Sequence, residues 1–159
     1  MAGEENAPTS SKPASKKTVV EVGMCQWHYA GQLRITAARN LYEFAESDSV
    51  NQVHTTGVVF GMLAWQDALE KLVRWLRVTD LADGGAVAVT EMNLQFAWRL
   101  MADEQVDVMV QMTDFDEAKQ EITLEVELRL AKPATHKLYS KAIIKGKPVK
   151  LNADKVAER

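Results

Sequence analysis

The strongest pattern of apolar positions along the chain predicts one long helix, from about Gly57 to Val78. Through this stretch, large apolar side chains recur three and four residues apart, as they do on one face of an α-helix. The first half, up to Trp65, contains no charged residue, which predicts that this half is buried all round. The second half carries two oppositely charged pairs at i,i+4 spacing, Asp67 with Lys71 and Glu70 with Arg74.

After this helix the pattern changes to alternation with a period of two, which is typical of strands with one buried face. The change follows Asp83-Gly84-Gly85, which predicts a turn. Apolar residues occupy alternate positions in four stretches, 87–98, 106–112, 122–130 and 138–144, with Ser140 in the apolar row of the last one. The phase of the first stretch inverts near Thr90 and Glu91, so a β-bulge is expected there. Residues 114–117 are expected to turn the chain between the second stretch and the third.

Further elements are predicted ahead of the long helix. Residues 19–35 mix β-branched and aromatic residues with polar ones, which predicts one or two strands. Thr36 is a suitable N-cap for a short helix over Ala37–Ala45, and the polar stretch 46–56 follows as a loop. The whole pattern indicates an α+β fold with an antiparallel sheet wrapped around one long central helix. An open sheet with a long edge strand usually pairs with another copy, so at least a dimer is expected.

Composition divides the chain into one domain and two tails. Residues 1–17 are rich in Ser, Ala, Pro, Glu and Lys, a composition typical of a disordered tail. Residues 18–150 are interpreted as a single domain, and residues 151–159 as a short polar tail. With 159 residues, of which 47% are apolar and 26% charged, the chain is long enough to bury a sizeable core.

Charge and cysteine content argue against several classes of function. A net charge of −3 disfavours a nucleic-acid surface, which needs a basic excess. No apolar run reaches the length of about 18 residues that spans a membrane, and no secretory signal is recognised. The one cysteine, Cys25, cannot form an internal disulfide, and this cysteine content favours the cytoplasm over an oxidising compartment. Its side chain is expected to be packed as a small apolar residue. The histidines and the cysteine lack paired-ligand spacing, so no metal site is expected.

Three short motifs resemble the MaoC-like group of the hotdog superfamily, which comprises (R)-specific enoyl-thioester hydratases and 3-hydroxyacyl dehydratases. The motifs are Phe44-Ala45, Asp48-Ser49-Val50-Asn51-Gln52-Val53-His54 and Gly61-Met62-Leu63. The resemblance covers about residues 19–147 and implies a hotdog fold. It also implies an acyl thioester substrate carried by coenzyme A or an acyl carrier protein, with no other cofactor. The expected assembly is a homodimer or a heterodimer with another hotdog subunit.

The resemblance assigns roles to the loop before the long helix. His54 matches the family's catalytic histidine, and Asn51 matches the asparagine that braces the loop. The family's catalytic aspartate falls on Ser49, so Asp48 is the candidate acidic partner, displaced by one residue. Hydration of an enoyl thioester needs a base for water and an acid for the α carbon, and an Asp/His pair can share these roles. The alternatives are a structural His54 that hydrogen-bonds the loop and a solvated Asp48.

A second resemblance, to small thioesterases similar to fluoroacetyl-CoA thioesterase, lies at the helix start. The stretch from Thr56 to Trp65 is similar to their Thr-Gly-x-x-x-Gly-x-x-Glu-Trp pattern, but their catalytic Glu is Ala64 here. Their catalytic histidine falls on or next to Glu91. In this comparison Thr56 lies at the site, but neither the family's acid nor its base is matched.

Both resemblances imply that the thioester carbonyl binds at a buried helix N-terminus, whose free N–H groups and dipole favour negative charge. The substrate-binding positions predicted there are Asn51, Thr56, Gly57, Val58 and Gly61. Trp65 is interpreted either as part of an acyl channel or as a core residue. Three functions remain open at this point: a hydratase/dehydratase-like enzyme, an acyl-CoA thioesterase, and a catalytically degenerate subunit that binds acyl chains or supports an active partner.

Overall fold

The computed structural model describes residues 21–44, 59, 61–131, 137–152 and 155–157. The helices are α1 (Ala37–Phe44) and α2 (Gly61–Thr79), and a 3₁₀ turn covers Asp83–Gly85. The strands are β1 (Val22–Gly23), β2 (His28–Arg34), β3 (Val87–Phe96), β4 (Gln105–Asp116), β5 (Glu121–Leu130), β6 (Leu138–Pro148) and β7 (Val156–Ala157). No helix in these ranges is long and apolar enough to cross a membrane.

Five strands form one antiparallel sheet in the order β2-β4-β5-β6-β3. In β4 and β5 the predicted alternation is confirmed, because every second residue from Val106 to Met112 and from Ile122 to Leu130 is buried. The turn expected at 114–117 is wrong by a few residues. Strand β4 instead continues to Asp116 after a register shift between Met112 and Asp114, since a bulge adds a residue without ending the pairing.

The predicted β-bulge in β3 is confirmed. Its pairing with β6 shifts register between Val89 and Glu91. The extra residue turns two apolar rows of opposite phase onto the same side of the sheet. As a result Val89 lies opposite Gly146 and Met92 lies opposite Ile144. Strand β3 therefore presents apolar side chains to the helix side along its whole length.

Helix α2 packs on this inner side of the sheet and forms one hydrophobic core with it. The buried residues of the helix are Leu63, Ala64, Trp65, Ala68, Leu72, Trp75, Leu76 and Thr79. These positions recur every three or four residues, as the sequence pattern predicted, and they belong to the same core as the inward rows of β4, β5 and β6. One long helix against an antiparallel sheet of five strands is the predicted α+β architecture.

The expected start of this helix was too early. The helix begins at Gly61, and Val59 lies outside it, where its N–H donates to the Leu100 carbonyl at 2.8 Å. This hydrogen bond attaches the chain just before the helix to the segment that follows β3. The first turn is also not buried all round, since Met62 is 52% exposed. The lack of charged residues therefore led to an overestimate of how much of the first turn of the helix the sheet buries.

The charged residues of α2 follow the prediction at one pair and depart from it at the other. Glu70 and Arg74 form the expected i,i+4 ion pair. Asp67 pairs with Arg39 of α1 at 2.7 Å rather than with Lys71. The tertiary partner is the better one here because both Arg39 and Asp67 are partly buried, where the attraction between charges is less screened by water. This ion pair links the two helices.

The local signals at the helix ends are confirmed. The Thr36 hydroxyl accepts a hydrogen bond from the Arg39 N–H at 3.2 Å, which is the geometry of an N-cap. At the predicted turn, Gly84 and Gly85 have φ values of 63° and 72°. Residues with side chains rarely adopt this left-handed conformation, so the glycine pair permits the sharp reversal between α2 and β3.

Part of the stretch expected as a terminal tail, 151–159, takes part in the fold. Its residues Val156 and Ala157 form β7, which pairs in parallel with Val22 and Gly23 of β1. The expected packing of Cys25 is wrong, because its side chain is exposed and its φ is 55°. The Cys25 N–H donates to the Met112 carbonyl at 2.8 Å, so the backbone and not the thiol is engaged there.

Candidate functional site

A groove opens at the amino end of α2. Its volume is about 270 Å³. The residues that line it are Val59, Gly61, Met62, Phe96, Trp98, Arg99, Leu100 and Tyr139. They come from the helix start, from the end of β3 and the segment after it, and from the start of β6. Three separate parts of the chain thus meet at one apolar surface.

The backbone around this groove is held by long-range hydrogen bonds. Val59 donates to the Leu100 carbonyl at 2.8 Å, which fixes the chain as it enters the helix. The Tyr139 carbonyl accepts from the N–H groups of Ala97 at 2.9 Å and Trp98 at 3.2 Å. The first N–H groups of any helix have no partner within the helix and carry partial positive charge. The groove therefore lies beside backbone donors whose positions are fixed.

Gly61 and Phe96 define the width of the groove at the helix. A Cβ atom added at Gly61 would lie 2.7 Å from Phe96 Cζ, and closer still to Cε1. Glycine is therefore required for this close approach of ring and helix. The Phe96 ring is 51% exposed and makes an edge contact with the Tyr139 ring at 5.9 Å between centroids.

The ionisable groups at the groove are few. Tyr139 is 2% exposed, and burial raises the pKa of its phenol to about 12. The phenol therefore stays protonated at neutral pH. Arg99 is exposed at the groove, and the Lys137 ammonium lies 3.3 Å from the centroid of the Trp98 ring. Two cations thus stand on or beside the rim, and among the described lining residues there is no carboxylate and no imidazole.

A buried polar chain lies below the groove. The Trp65 Nε1–H donates to the Ser140 hydroxyl at 2.9 Å, and that hydroxyl donates to the Gln95 carbonyl at 2.6 Å. Trp65 is 1% exposed and Ser140 is fully buried. Because polar groups without partners are costly in a core, both hydrogen bonds hold the indole against β6.

The structure brings together only part of the predicted site. Gly61 lines the groove, whereas Trp65 lies in the core beneath it. The remaining predicted positions lie outside the described residues, namely Asp48, Asn51, His54, Thr56, Gly57 and Val58.

Sequence reasoning missed the other side of the groove, formed by Phe96, Leu100 and Tyr139. Phe96 is the last inward residue of β3, and its position at the end of an alternating stretch was the one signal for it. Ser140 was also missed as a polar contact. It is a polar residue in the inward phase of β6, and this exception to the apolar pattern could have identified it.

The described histidine, His28, belongs to another part of the molecule. It lies on β2, at the opposite edge of the sheet from β3, and its ring centroid is 5.8 Å from that of Trp75. Its Nε2 atom is buried without a hydrogen-bond partner among the described residues. Burial lowers the pKa of this imidazole below its usual value. His28 is thus a packing residue and not part of the groove.

Comparison with known proteins gives a clear result for the fold and none for the sequence family. No protein-family model and no curated protein matches the chain. Among solved structures, the (R)-hydratase from A. caviae involved in PHA biosynthesis is 22% identical, with a TM-score of 0.59 over 82% of this chain and 98% of that one. A hexameric thioesterase from Yersinia pestis is 12% identical, with a TM-score of 0.58 over 80% and 91%.

A chain of the ChsH1-ChsH2 complex from Mycobacterium tuberculosis is also similar, at 13% identity and a TM-score of 0.57 over 81% of this chain and 98% of that one. At such identities the likeness concerns the fold alone. The hydratase and the thioesterase differ in activity, so a shared architecture does not select a reaction. The strand order, the long helix on the inner side of the sheet and these structural neighbours together identify the chain as a hotdog-fold protein.

Proposed function

We propose that this protein binds acyl thioesters in the groove at the amino end of α2 and acts on them as a hydratase or dehydratase. The observation that carries the proposal is the groove itself, an apolar cleft of about 270 Å³ beside the start of the central helix of a hotdog fold. Apolar walls suit an acyl chain, and the free N–H groups of a helix start suit a thioester carbonyl.

The charge around the groove supports a substrate with a phosphorylated carrier. Arg99 on the wall and Lys137 beside Trp98 are cations, although the chain as a whole has a net charge of −3. Coenzyme A and the prosthetic arm of an acyl carrier protein both carry phosphate, which arginine and lysine bind well. We therefore expect coenzyme A or an acyl carrier protein to carry the substrate, in the cytoplasm.

The chemistry in this proposal falls to His54, with Asp48 as its partner. Both lie in the stretch of sequence that connects α1 to Val59, and Val59 is a wall of the groove. His54 would move a proton to or from the substrate, which is the part of hydration that needs a side chain with a pKa near neutrality. The helix start would bind the carbonyl as negative charge develops on it.

One observation favours a second candidate, a hotdog subunit that binds acyl chains without acting on them. The described walls of the groove offer only Arg99 and Tyr139 as ionisable groups, and the Tyr139 phenol has a pKa raised to about 12 by burial.

In the thioesterase alternative the catalytic carboxylate would fall on Ala64, which is fully buried and carries no acid. Thioester hydrolysis is therefore the weaker of the two enzymatic alternatives.

Pairing with a second hotdog subunit is part of the proposal. Strand β3 is at one end of the sheet, and no strand among the described residues pairs with its outer edge. Its inward side chains Val89 and Phe96 are 54% and 51% exposed. A ten-residue edge strand with exposed apolar residues is a template for pairing with another chain. The Yersinia pestis thioesterase is described as hexameric and ChsH1-ChsH2 as a complex, which supports such pairing here.

The test of the activity uses two assays and two variants. Incubation with crotonyl-CoA should decrease the enoyl absorbance, and His54→Ala should slow this decrease by about 100-fold with an unchanged melting temperature. Release of free thiol from butyryl-CoA, followed with a thiol reagent, measures hydrolysis instead. Arg99→Ala should weaken binding of either thioester and reduce its dependence on salt.

The outcomes separate the candidates. Hydration that depends on His54 supports the hydratase proposal. Binding of butyryl-CoA without turnover in either assay supports the binding subunit and contradicts the enzyme. If crotonyl-CoA and butyryl-CoA neither bind nor react, the acyl-thioester proposal is wrong.

A further inference from the structure

A second cavity lies farther along the same helix. It has a volume of about 150 Å³ and lies between the second half of α2 and the sheet. Leu69, Leu72 and Leu76 line it from the helix, Val89 from β3 and Ile144 from β6. Its walls are apolar, like those of the groove at the helix start, and it is more enclosed. Burial of an alkyl chain in such a space is favourable, because it removes apolar surface from water.

The groove and this cavity follow one another along the same three elements. On the helix the groove ends with Met62 and the cavity begins at Leu69. On β3 the groove has Phe96 and the cavity has Val89, and β6 contributes Tyr139 to the first and Ile144 to the second. Both spaces thus lie in the seam between the helix and the β3–β6 side of the sheet.

Trp65 stands between the two spaces. It follows Gly61 by four residues and precedes Leu69 by four, so it is about 6 Å along the helix axis from each. The indole is 1% exposed and lines neither the groove nor the cavity. An indole has the largest side chain in proteins, and here it fills the interval between the helix and the sheet.

The indole is also prevented from swinging aside. Its Nε1–H donates to the Ser140 hydroxyl at 2.9 Å, and Ser140 lies opposite Phe96 in the pairing of β6 with β3. The Ser140 hydroxyl is itself fixed by its 2.6 Å hydrogen bond to the Gln95 carbonyl. To turn out of the seam, Trp65 would have to leave a buried donor without a partner, which is unfavourable. A fixed aromatic side chain therefore forms a wall in the core between the groove and the cavity, behind the residues that line them.

We propose that Trp65 is the residue that determines acyl chain length, by closing the groove to chains that would extend into the second cavity. The inference rests on the proposed binding of acyl thioesters in the groove and names the substrates as short-chain acyl thioesters. Without the indole, the groove and the cavity would join into one channel along α2. Ser140 acts as a positioning residue, because it holds the wall without contacting substrate.

The experiment compares the binding of butyryl-CoA and octanoyl-CoA by isothermal titration calorimetry. The wild-type protein should bind butyryl-CoA and should bind octanoyl-CoA at least about tenfold more weakly, because the longer chain has no pocket. Trp65→Ala should reverse this preference and bind octanoyl-CoA at least about tenfold more tightly than butyryl-CoA. Trp65→Leu leaves a smaller void than Trp65→Ala and should give an intermediate ratio, so it serves if the alanine variant fails to fold.

Trp75→Ala is the matched control. Trp75 is a second buried tryptophan of the same helix, but its ring contacts His28 on β2, away from the seam. Its removal should lower the melting temperature and leave the ratio of the two affinities unchanged. A control that changes the ratio as Trp65→Ala does would overturn the inference, since any core void would then have the same effect.

The remaining outcomes distinguish this inference from the function beneath it. If the wild-type protein binds octanoyl-CoA as tightly as butyryl-CoA, or if Trp65→Leu leaves a short-chain preference unchanged, Trp65 is not the wall and the inference is overturned. The binding of acyl thioesters would still stand in either case. If neither the wild-type protein nor any variant binds either ligand, the proposed function fails and the inference fails with it.

Discussion

The hydrogen bonds of Ser140 give the most direct test of the packing beneath the groove. Ser140→Ala removes a fully buried hydroxyl that accepts from Trp65 at 2.9 Å and donates to the Gln95 carbonyl at 2.6 Å. The indole N–H is then a buried donor without a partner. Leaving such a group unsatisfied costs about 1–3 kcal/mol, and we expect a loss of about 2 kcal/mol in the free energy of unfolding.

Urea unfolding followed by tryptophan fluorescence and circular dichroism measures this loss. The midpoint should fall while the slope with urea stays constant, because the surface exposed on unfolding does not change. A loss of about 2 kcal/mol corresponds to a melting temperature lower by roughly 4–8 °C for a domain of this size. Thr79→Val is the matched control, since its buried hydroxyl donates only to the Leu76 carbonyl within its own helix. It should cost less than about 1 kcal/mol.

A double-mutant cycle then identifies the partner. Trp65→Phe removes the indole N–H, so no donor is left unpaired when Ser140→Ala is added to it. The cost of Ser140→Ala should therefore fall by about 1 kcal/mol in the Trp65→Phe background. Full additivity of the two substitutions, or a Ser140→Ala variant as stable as the wild-type protein, would refute the described hydrogen bonds.

Three further predictions concern stability and assembly. Burial lowers the pKa of His28, so the unfolded state binds a proton before the folded state does as the pH falls below about 6.5. The free energy of unfolding should therefore decrease from pH 7.5 to pH 5. Thermal melts of His28→Phe should show a smaller decrease in melting temperature over the same pH range. Gly85→Ala should destabilise more than Gly84→Ala in urea unfolding, since both have positive φ but only the Gly85 Cβ would meet atoms, at 2.6 Å from Arg77 Cγ; equal costs would contradict the described turn. Val89→Glu should convert a dimer into a monomer in light scattering, whereas Ala88→Glu on the other face of β3 should leave it intact.

The sheet could be predicted from the sequence because its inward rows are strictly periodic. Residues 122–130 alternate without exception, and the structure buries the same apolar side chains that the pattern selects. The bulge near Thr90 was predictable for the same reason, since a change of phase within one strand has few physical solutions. The turn at Gly84 and Gly85 followed from a residue type that tolerates positive φ.

Features that depend on distant partners were not predictable in this way. The chain just before α2 is attached by the hydrogen bond from Val59 to Leu100, and nothing near Val59 in the sequence indicates it. Asp67 had an ideally spaced local partner in Lys71, yet it pairs with Arg39. In both cases the local sequence pattern predicted one arrangement, and the folded chain has another that involves residues far away in the sequence.

The candidate site was predictable on one side only. The motif around Gly61 identified the helix wall of the groove, because glycine beside a helix start has a recognisable sequence pattern. Phe96 and Tyr139 form the facing wall and belong to strands that are separated along the sequence. They come together because β3 pairs with β6, and no local sequence pattern predicts this contact.

The ion pair between Arg39 and Asp67 has a consequence for how such a protein can change during evolution. It attaches α1 to the central helix, while the hydrogen bond from Val59 to Leu100 attaches the chain that leads into that helix. Both contacts are made by residues outside the stretch of sequence that carries Asp48 and His54. The entropy of closing a loop varies only slowly with its length, so a change in the number of residues between these two contacts is expected to alter the free energy of folding only slightly. We therefore expect evolution to tolerate insertions and deletions in this stretch of sequence more readily than in the paired strands.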